Sequence, residues 1–142
     1  QIVLSGKIKD LEKLSSILKH NKIKNVKLPV SAPFHCSLMK KATDIMSIEL
    51  NKLNFKKGNN FLISNITANE IFNAEELKNL LTQQIEKRVR WRESVKNMVN
   101  KGVNNFIEIG PGKVLSGLIK RINKDVKIIS INNEEDIKNI QI

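Results

Sequence analysis

Apolar positions along this chain switch back and forth between helical and strand spacing. From Lys7 they recur at Ile8, Leu11, Leu14, Ile17 and Leu18, which lie on one helix face with lysines opposite. His20-Asn21 closes that helix. Residues 1–6 read as a short strand ending in a glycine turn. Residues 22–30, with Ile23, Val26, Leu28 and Val30, read as a less regular one, so the first 30 residues form a β-α-β unit. Residues 31–36 are a break, because Pro33 keeps the preceding residue extended and excludes a central strand position. A second helix carries Leu38, Ala42, Ile45, Met46, Leu50 and Leu53 mostly on one face, and residues 56–60 make a polar turn. Residues 61–66 are a short apolar strand. Asn73 caps a third helix with Glu75 and Glu76 in its first turn, residues 87–91 interrupt it, and a further helix with Val95, Met98 and Val99 runs up to Gly102. Residues 103–109 are a strand, Gly110-Pro111-Gly112 turns the chain, and Val114, Leu115, Leu118, Ile119 and Ile122 mark the next helix. Residues 126–131 are the last strand, followed by a short helix over 134–140. Strands alternating with helices predict the α/β class with a largely parallel sheet.

Bulk properties narrow this picture only a little. The chain has 142 residues, 40% hydrophobic and 27% charged, the range of a soluble globular protein with one core. No apolar run approaches the ~20 residues that span a bilayer. Residues 1–6 lack a basic leader or a cleavage site, which argues against a signal peptide. The single cysteine, Cys36, has no partner for an intrachain disulfide, which fits a cytoplasmic setting. The formal charge of +11 comes almost wholly from lysines spread along the chain, with arginine only at positions 88, 90, 92 and 121. With one Trp and no Tyr there are no stacking platforms for bases, so no nucleic-acid partner is expected.

Several residues carry candidate chemistry. His20, at a helix end among lysines and asparagines, reads as solvated or as a terminal cap. His35 sits between a strand and a long amphipathic helix, where α/β proteins build their sites. Its imidazole can act as a general base near neutrality, although a structural histidine would look the same. Cys36 beside it reads as packing, since neighbours in extended chain point apart. Two distant histidines and one cysteine do not make a zinc site. Gly110-Pro111-Gly112-Lys113 lies where a phosphate loop would, but lacks the full spacing of one and reads as a tight turn. Of Gln83 and Gln84, one must approach the core side of its helix. Arg88, Arg90 and Arg92 around Trp91 read equally as an anion site or a solvated basic face.

Three segments, read together, each match a motif of one enzyme family. Leu28-Pro29-Val30-Ser31-Ala32-Pro33-Phe34-His35-Cys36-Ser37-Leu38-Met39 resembles its histidine motif P-V-S-x-P-x-H-C-x-L-M. Gln84-Ile85 through Val89-Arg90-Trp91 resembles Q-L-x-x-P-V-x-W. Phe106-Ile107-Glu108-Ile109-Gly110-Pro111-Gly112-Lys113-Val114-Leu115-Ser116-Gly117-Leu118 resembles E-x-G-P-G-K-V-L-x-G-L, and Ser64-Asn65-Ile66-Thr67 is a weaker fourth match. Together these segments are similar to the malonyl-CoA:acyl carrier protein transacylase family, although Lys41 and Arg88 stand where that family has proline.

The resemblance implies residues 1–30 as the last β-α-β of a ferredoxin-like small subdomain. It implies residues 31–142 as the C-terminal part of an α/β-hydrolase-like large subdomain. The activity it implies is ping-pong malonyl transfer from malonyl-CoA to the phosphopantetheine thiol of acyl carrier protein, in fatty acid biosynthesis and without a cofactor. His35 would be the general acid/base, oriented by the main-chain carbonyl of Gln84, with Phe34 narrowing the acyl pocket. The family's serine elbow, G-H-S-x-G, is not present: none of the serines at 5, 15, 16, 31, 37, 47, 64, 94, 116 and 130 has a Gly-x-Ser-x-Gly setting. The malonyl-binding arginine and the oxyanion loop also fall outside these residues. The expectation is therefore a chain inactive alone, with exposed apolar surface and partnership with the missing N-terminal half. A non-catalytic module that binds the acidic carrier protein, or one half of a split enzyme, would share these motifs.

Overall fold

The computed structural model describes residues 2–56 and 58–140. Gln1 of the first expected strand and Lys57 of the polar turn lie outside the described residues. The chain divides into two compact units, Gln1–Val89 and Arg90–Ile142.

The first unit begins with α1 (Ile8–His20). A Schellman closure ends it: Lys22 N–H donates to Lys19 O at 2.9 Å and Ile23 N–H to Leu18 O at 2.8 Å. Lys22 adopts the left-handed φ of 58° that this closure demands. A single 3₁₀ turn (Ser37–Met39) leads into α2 (Lys40–Asn51). Strand β1 (Leu62–Ile63) pairs antiparallel with β2 (Glu70–Ile71), and α3 (Ala74–Gln83) follows and packs on α2. The Asn73 side chain accepts the Glu76 N–H at 2.7 Å, the cap that the sequence pattern predicts. Buried Ala68, Ile71 and Leu80, with Thr43 and Ser64, form the interior of this unit.

Two expected strands are not formed. Residues 2–6 and 22–30 belong to no sheet among the described residues. A strand exists only through a partner that takes up its backbone groups. Residues 22–30 make local bonds instead, with Val30 N–H turned to Leu28 O at 2.9 Å around Pro29, which has no N–H to give. Apolar side chains along both segments stay exposed, Ile2 at 87% and Val26 at 74%. The strand expected over 61–66 shortens to two residues because Ser64 opens a turn that reverses the chain into β2. That pairing is antiparallel rather than parallel.

The second unit contains α4 (Trp91–Asn100), β3 (Asn105–Ile109), α5 (Val114–Ile122), β4 (Lys127–Ile131) and α6 (Glu134–Lys138). Strands β3 and β4 are parallel, joined through α5, with Phe106 opposite Ile128 and Glu108 opposite Ser130. Alternation along β3 puts Phe106 inward, while Ile109 is 80% exposed. Val95, Phe106, Ile119 and Val126 form the core, with Trp91, Met98, Val99, Ile122 and Ile128 packed around them. Helix α4 closes with Gly102 at φ 90°, where the left-handed conformation carries no Cβ clash.

Val95 is the most enclosed side chain of this core, with no exposed surface. Val95→Ala removes two methyl groups and leaves a cavity, so it should cost about 2 kcal/mol in urea unfolding. A loss under about 0.5 kcal/mol would show that the core closes over the gap.

Candidate active site

His35 follows Pro33-Phe34 in the loop before the 3₁₀ turn, and two hydrogen bonds fix it to the end of α3. Its backbone N–H donates to Ile85 O at 2.9 Å. Its ring Nδ1 lies 2.7 Å from the main-chain O of Gln84, across 49 residues of sequence. A carbonyl oxygen can only accept, so Nδ1 carries a proton, and in the neutral imidazole Nε2 is left with its lone pair. His35 as a whole is exposed. Backbone φ at His35 is 64°, a left-handed conformation that costs a non-glycine residue about 1–2 kcal/mol. Such strain is characteristic of sites whose geometry is set by neighbours.

The structure separates the two glutamines. Gln83 Nε2 donates to Asn79 Oδ1 at 3.0 Å, a pair on the surface of its own helix. Gln84 is the C-cap of α3, and its side-chain Oε1 accepts from Asn65 Nδ2 at 3.2 Å. Asn65 carries no predicted role, although it lies in the weak Ser64-Asn65-Ile66-Thr67 match. The Phe34 ring is 54% exposed and stands 6.3 Å from the His35 ring at a 49° tilt. The Cys36 thiol donates to Pro33 O at 3.1 Å and receives the Ser5 hydroxyl at 3.7 Å, contacts of a packing residue. His20 ends α1 and is exposed.

The Gly110-Pro111-Gly112-Lys113 turn is built around a carboxylate of the chain itself. Glu108 Oε1 accepts the Leu115 N–H at 3.0 Å and Oε2 accepts the Ser116 N–H at 2.8 Å. Two of the first N–H groups of α5, which a phosphate would need, are thereby taken. Gly112 N–H goes to Asn132 Oδ1 at 2.6 Å, and the Ser116 and Ser130 hydroxyls meet at 2.8 Å. This segment is a structural clamp. Arg90 Nε donates to Glu93 at 3.4 Å, while the Trp91 ring packs against the core of the second unit. Among the described residues no group of three or more His, Cys, Asp or Glu is placed to hold a metal, and no helix is long and apolar enough to cross a membrane.

No family model matches the chain. It is 40% identical over 139 residues to the malonyl CoA-acyl carrier protein transacylase of Bacillus subtilis (strain 168), covering 97% of this chain and 44% of that protein. The crystal structure of malonyl CoA-acyl carrier protein transacylase from Clostridium perfringens superposes with a TM-score of 0.87 at 38% identity, over 94% of this chain and 42% of that one. A malonyl-transacylase solved in complex with a type II PKS acyl-carrier protein gives 0.87 at 31% identity, over 94% and 43%. The chain thus spans less than half the length of the relatives it matches.

The clamp at Glu108 has a pH signature. Hydrogen bonds with the Ser116 hydroxyl, and then with the Ser116 and Leu115 N–H groups, hold its carboxyl below the ordinary 4.5, against the opposing effect of partial burial. A carboxyl with a depressed folded-state value stabilises the fold above its unfolded value and loses that contribution as pH falls through the folded one. Acidification below 4.5 should therefore lower the melting temperature. Glu108→Gln should melt lower at neutral pH and show a flatter slope as the pH falls through and below 4.5. Equal slopes for the two proteins would remove Glu108 as the source.

Proposed function

We propose that this chain, related in sequence and fold to part of the malonyl CoA-acyl carrier protein transacylases, supplies the acid–base histidine of malonyl transfer. The substrates are malonyl-CoA and the phosphopantetheine thiol of acyl carrier protein, in the cytoplasmic synthesis of fatty acids. The observation that carries this reading is the 2.7 Å contact from His35 Nδ1 to Gln84 O, which leaves Nε2 as a free base. On this reading residues 1–30 are the last part of a ferredoxin-like small subdomain, and residues 31–142 the C-terminal part of an α/β-hydrolase-like large one.

The chemistry asked of His35 is ordinary acid–base work. A serine hydroxyl, contributed from outside these 142 residues, is a weak nucleophile until its proton is removed. Nε2 takes that proton as the serine oxygen attacks the thioester carbonyl of malonyl-CoA. The C–S bond then breaks and the imidazolium returns the proton to the departing coenzyme A thiolate. In the second half-reaction Nε2 deprotonates the incoming phosphopantetheine thiol. The thiolate attacks the malonyl-serine ester, and the proton passes back to the serine oxygen. The Gln84 carbonyl stabilises the transient imidazolium by accepting from Nδ1 and holds the ring so that Nε2 faces the reaction. A neutral acceptor can do this because its hydrogen bond to the cation is charge-assisted. Phe34, half exposed beside the ring, would line the acyl side of the pocket. The lysine-rich surface suits an acidic carrier protein.

Replacing the matched segment of the Bacillus subtilis relative with this chain should give a chimera that transfers malonyl groups. His35→Ala in that chimera should lower kcat by roughly 10²–10⁴ while leaving the fold intact. A chimera that keeps its rate without the imidazole would overturn the assignment. The chain by itself, mixed with malonyl-CoA and acyl carrier protein, should show no transfer above background.

A further inference from the structure

Gln84 makes a hydrogen bond at each end, and only one of them reaches His35. Its main-chain oxygen meets Nδ1 at 2.7 Å, while its side-chain Oε1 is held by Asn65 Nδ2 at 3.2 Å. Gln84 is the C-cap of α3, where the last carbonyls have no partner within the helix and the backbone can rock. A second anchor on the same residue restrains the tilt of its peptide plane. Asn65 is suited to be that anchor because the turn that carries it is locked on both sides of it. Buried Ser64 accepts at Oγ from Ile66 N–H at 3.1 Å and Thr67 N–H at 3.3 Å. Its backbone O accepts Ala68 N–H at 2.9 Å, its N–H donates to Asn69 O at 2.9 Å, and Ala68 closes the turn at φ 60°. The tie therefore runs from a rigid turn, through one side-chain amide pair, to the carbonyl that selects the imidazole tautomer.

We propose that Asn65 is a positioning residue: by holding the Gln84 side chain it fixes the Gln84 carbonyl and so keeps His35 in the Nδ1–H form with Nε2 free. This rests on the reading of His35 as the base. Asn65 does not touch a reactant and acts only through Gln84. Asparagine suits the place because its amide pairs with the glutamine amide in either orientation, donating to the oxygen or accepting from the nitrogen. Aspartate would keep the second of these pairings, and alanine neither.

The test is a long-range ¹H–¹⁵N spectrum of the two imidazoles in the ¹⁵N-labelled chain, above the histidine titration range. His20, exposed at the end of α1, is the internal reference. Wild-type His35 should be mainly the Nδ1–H tautomer. Asn65→Ala should lower the ratio of Nδ1–H to Nε2–H by roughly threefold or more, the effect of loosening one hydrogen bond. Asn65→Asp should restore it. Gln84→Leu, which removes the same side-chain pair but keeps the carbonyl, should shift the ratio as Asn65→Ala does, and the double variant should add nothing further. If Asn65→Ala does not fold, Gln84→Leu against Asn65→Asp carries the same comparison. An Nδ1–H wild type whose ratio ignores both truncations overturns the positioning role and leaves the reading of His35 standing. A wild-type His35 without a dominant Nδ1–H form overturns that reading and this inference with it.

Discussion

Two hydrogen bonds between residue 35 and residues 84–85 hold the loop after Val30 against the end of α3, and the local structure of the candidate site follows from them. Each is worth about 0.5–1.5 kcal/mol net, so together they match the roughly 1–2 kcal/mol cost of a left-handed histidine. Neither bond alone would offset that cost comfortably. The strained backbone and the oriented ring are thus one arrangement: the N–H bond to Ile85 keeps φ positive, and the positive φ presents Nδ1 to Gln84. A histidine in ordinary extended backbone would need a different partner for its ring.

The second unit solves a different problem with similar means. Its parallel pair needs a crossover, and α5 supplies it, so the helix must start close to the end of β3. Glu108, two residues before the first of two positive-φ glycines, Gly110 and Gly112, reaches forward to cap the helix it precedes. The same carboxylate that shapes the turn places negative charge at the positive end of α5. A motif with the outline of a phosphate loop is in this way occupied by a carboxylate that lies two residues before it.

Helix faces were legible in the sequence because their signal is local. The spacing of Ile8, Leu11, Leu14, Ile17 and Leu18 names α1, and Asn73 with Glu75 and Glu76 marks the start of α3 to the residue. Strands were legible only where their partner lies nearby in the chain, as with β3 and β4. Residues 22–30 have strand-like side chains, but a strand needs a neighbour to receive its backbone, and apolar alternation says nothing about whether one is in place. At the site, His35 stood out by its position and by its resemblance to a known motif. The contact with Gln84 is invisible to local reading, because it spans 49 residues and uses a main-chain atom that every residue type possesses. Nothing about the letter at position 84 announces a carbonyl with a task. Asn65 was hidden for a related reason, since an asparagine in a turn already has a sufficient local explanation.

The use of a main-chain oxygen at Gln84 bears on how such a site can drift. Every amino acid carries the same carbonyl, so no amino-acid substitution at position 84 deletes the acceptor, whereas an aspartate in that role is one substitution from loss. The orienting group is buffered against point mutation and exposed instead to changes of backbone path. Insertions, deletions or a proline in the stretch after α3 are the lesions to which it is vulnerable, and the inheritance of this site is therefore a matter of chain length and register more than of residue identity.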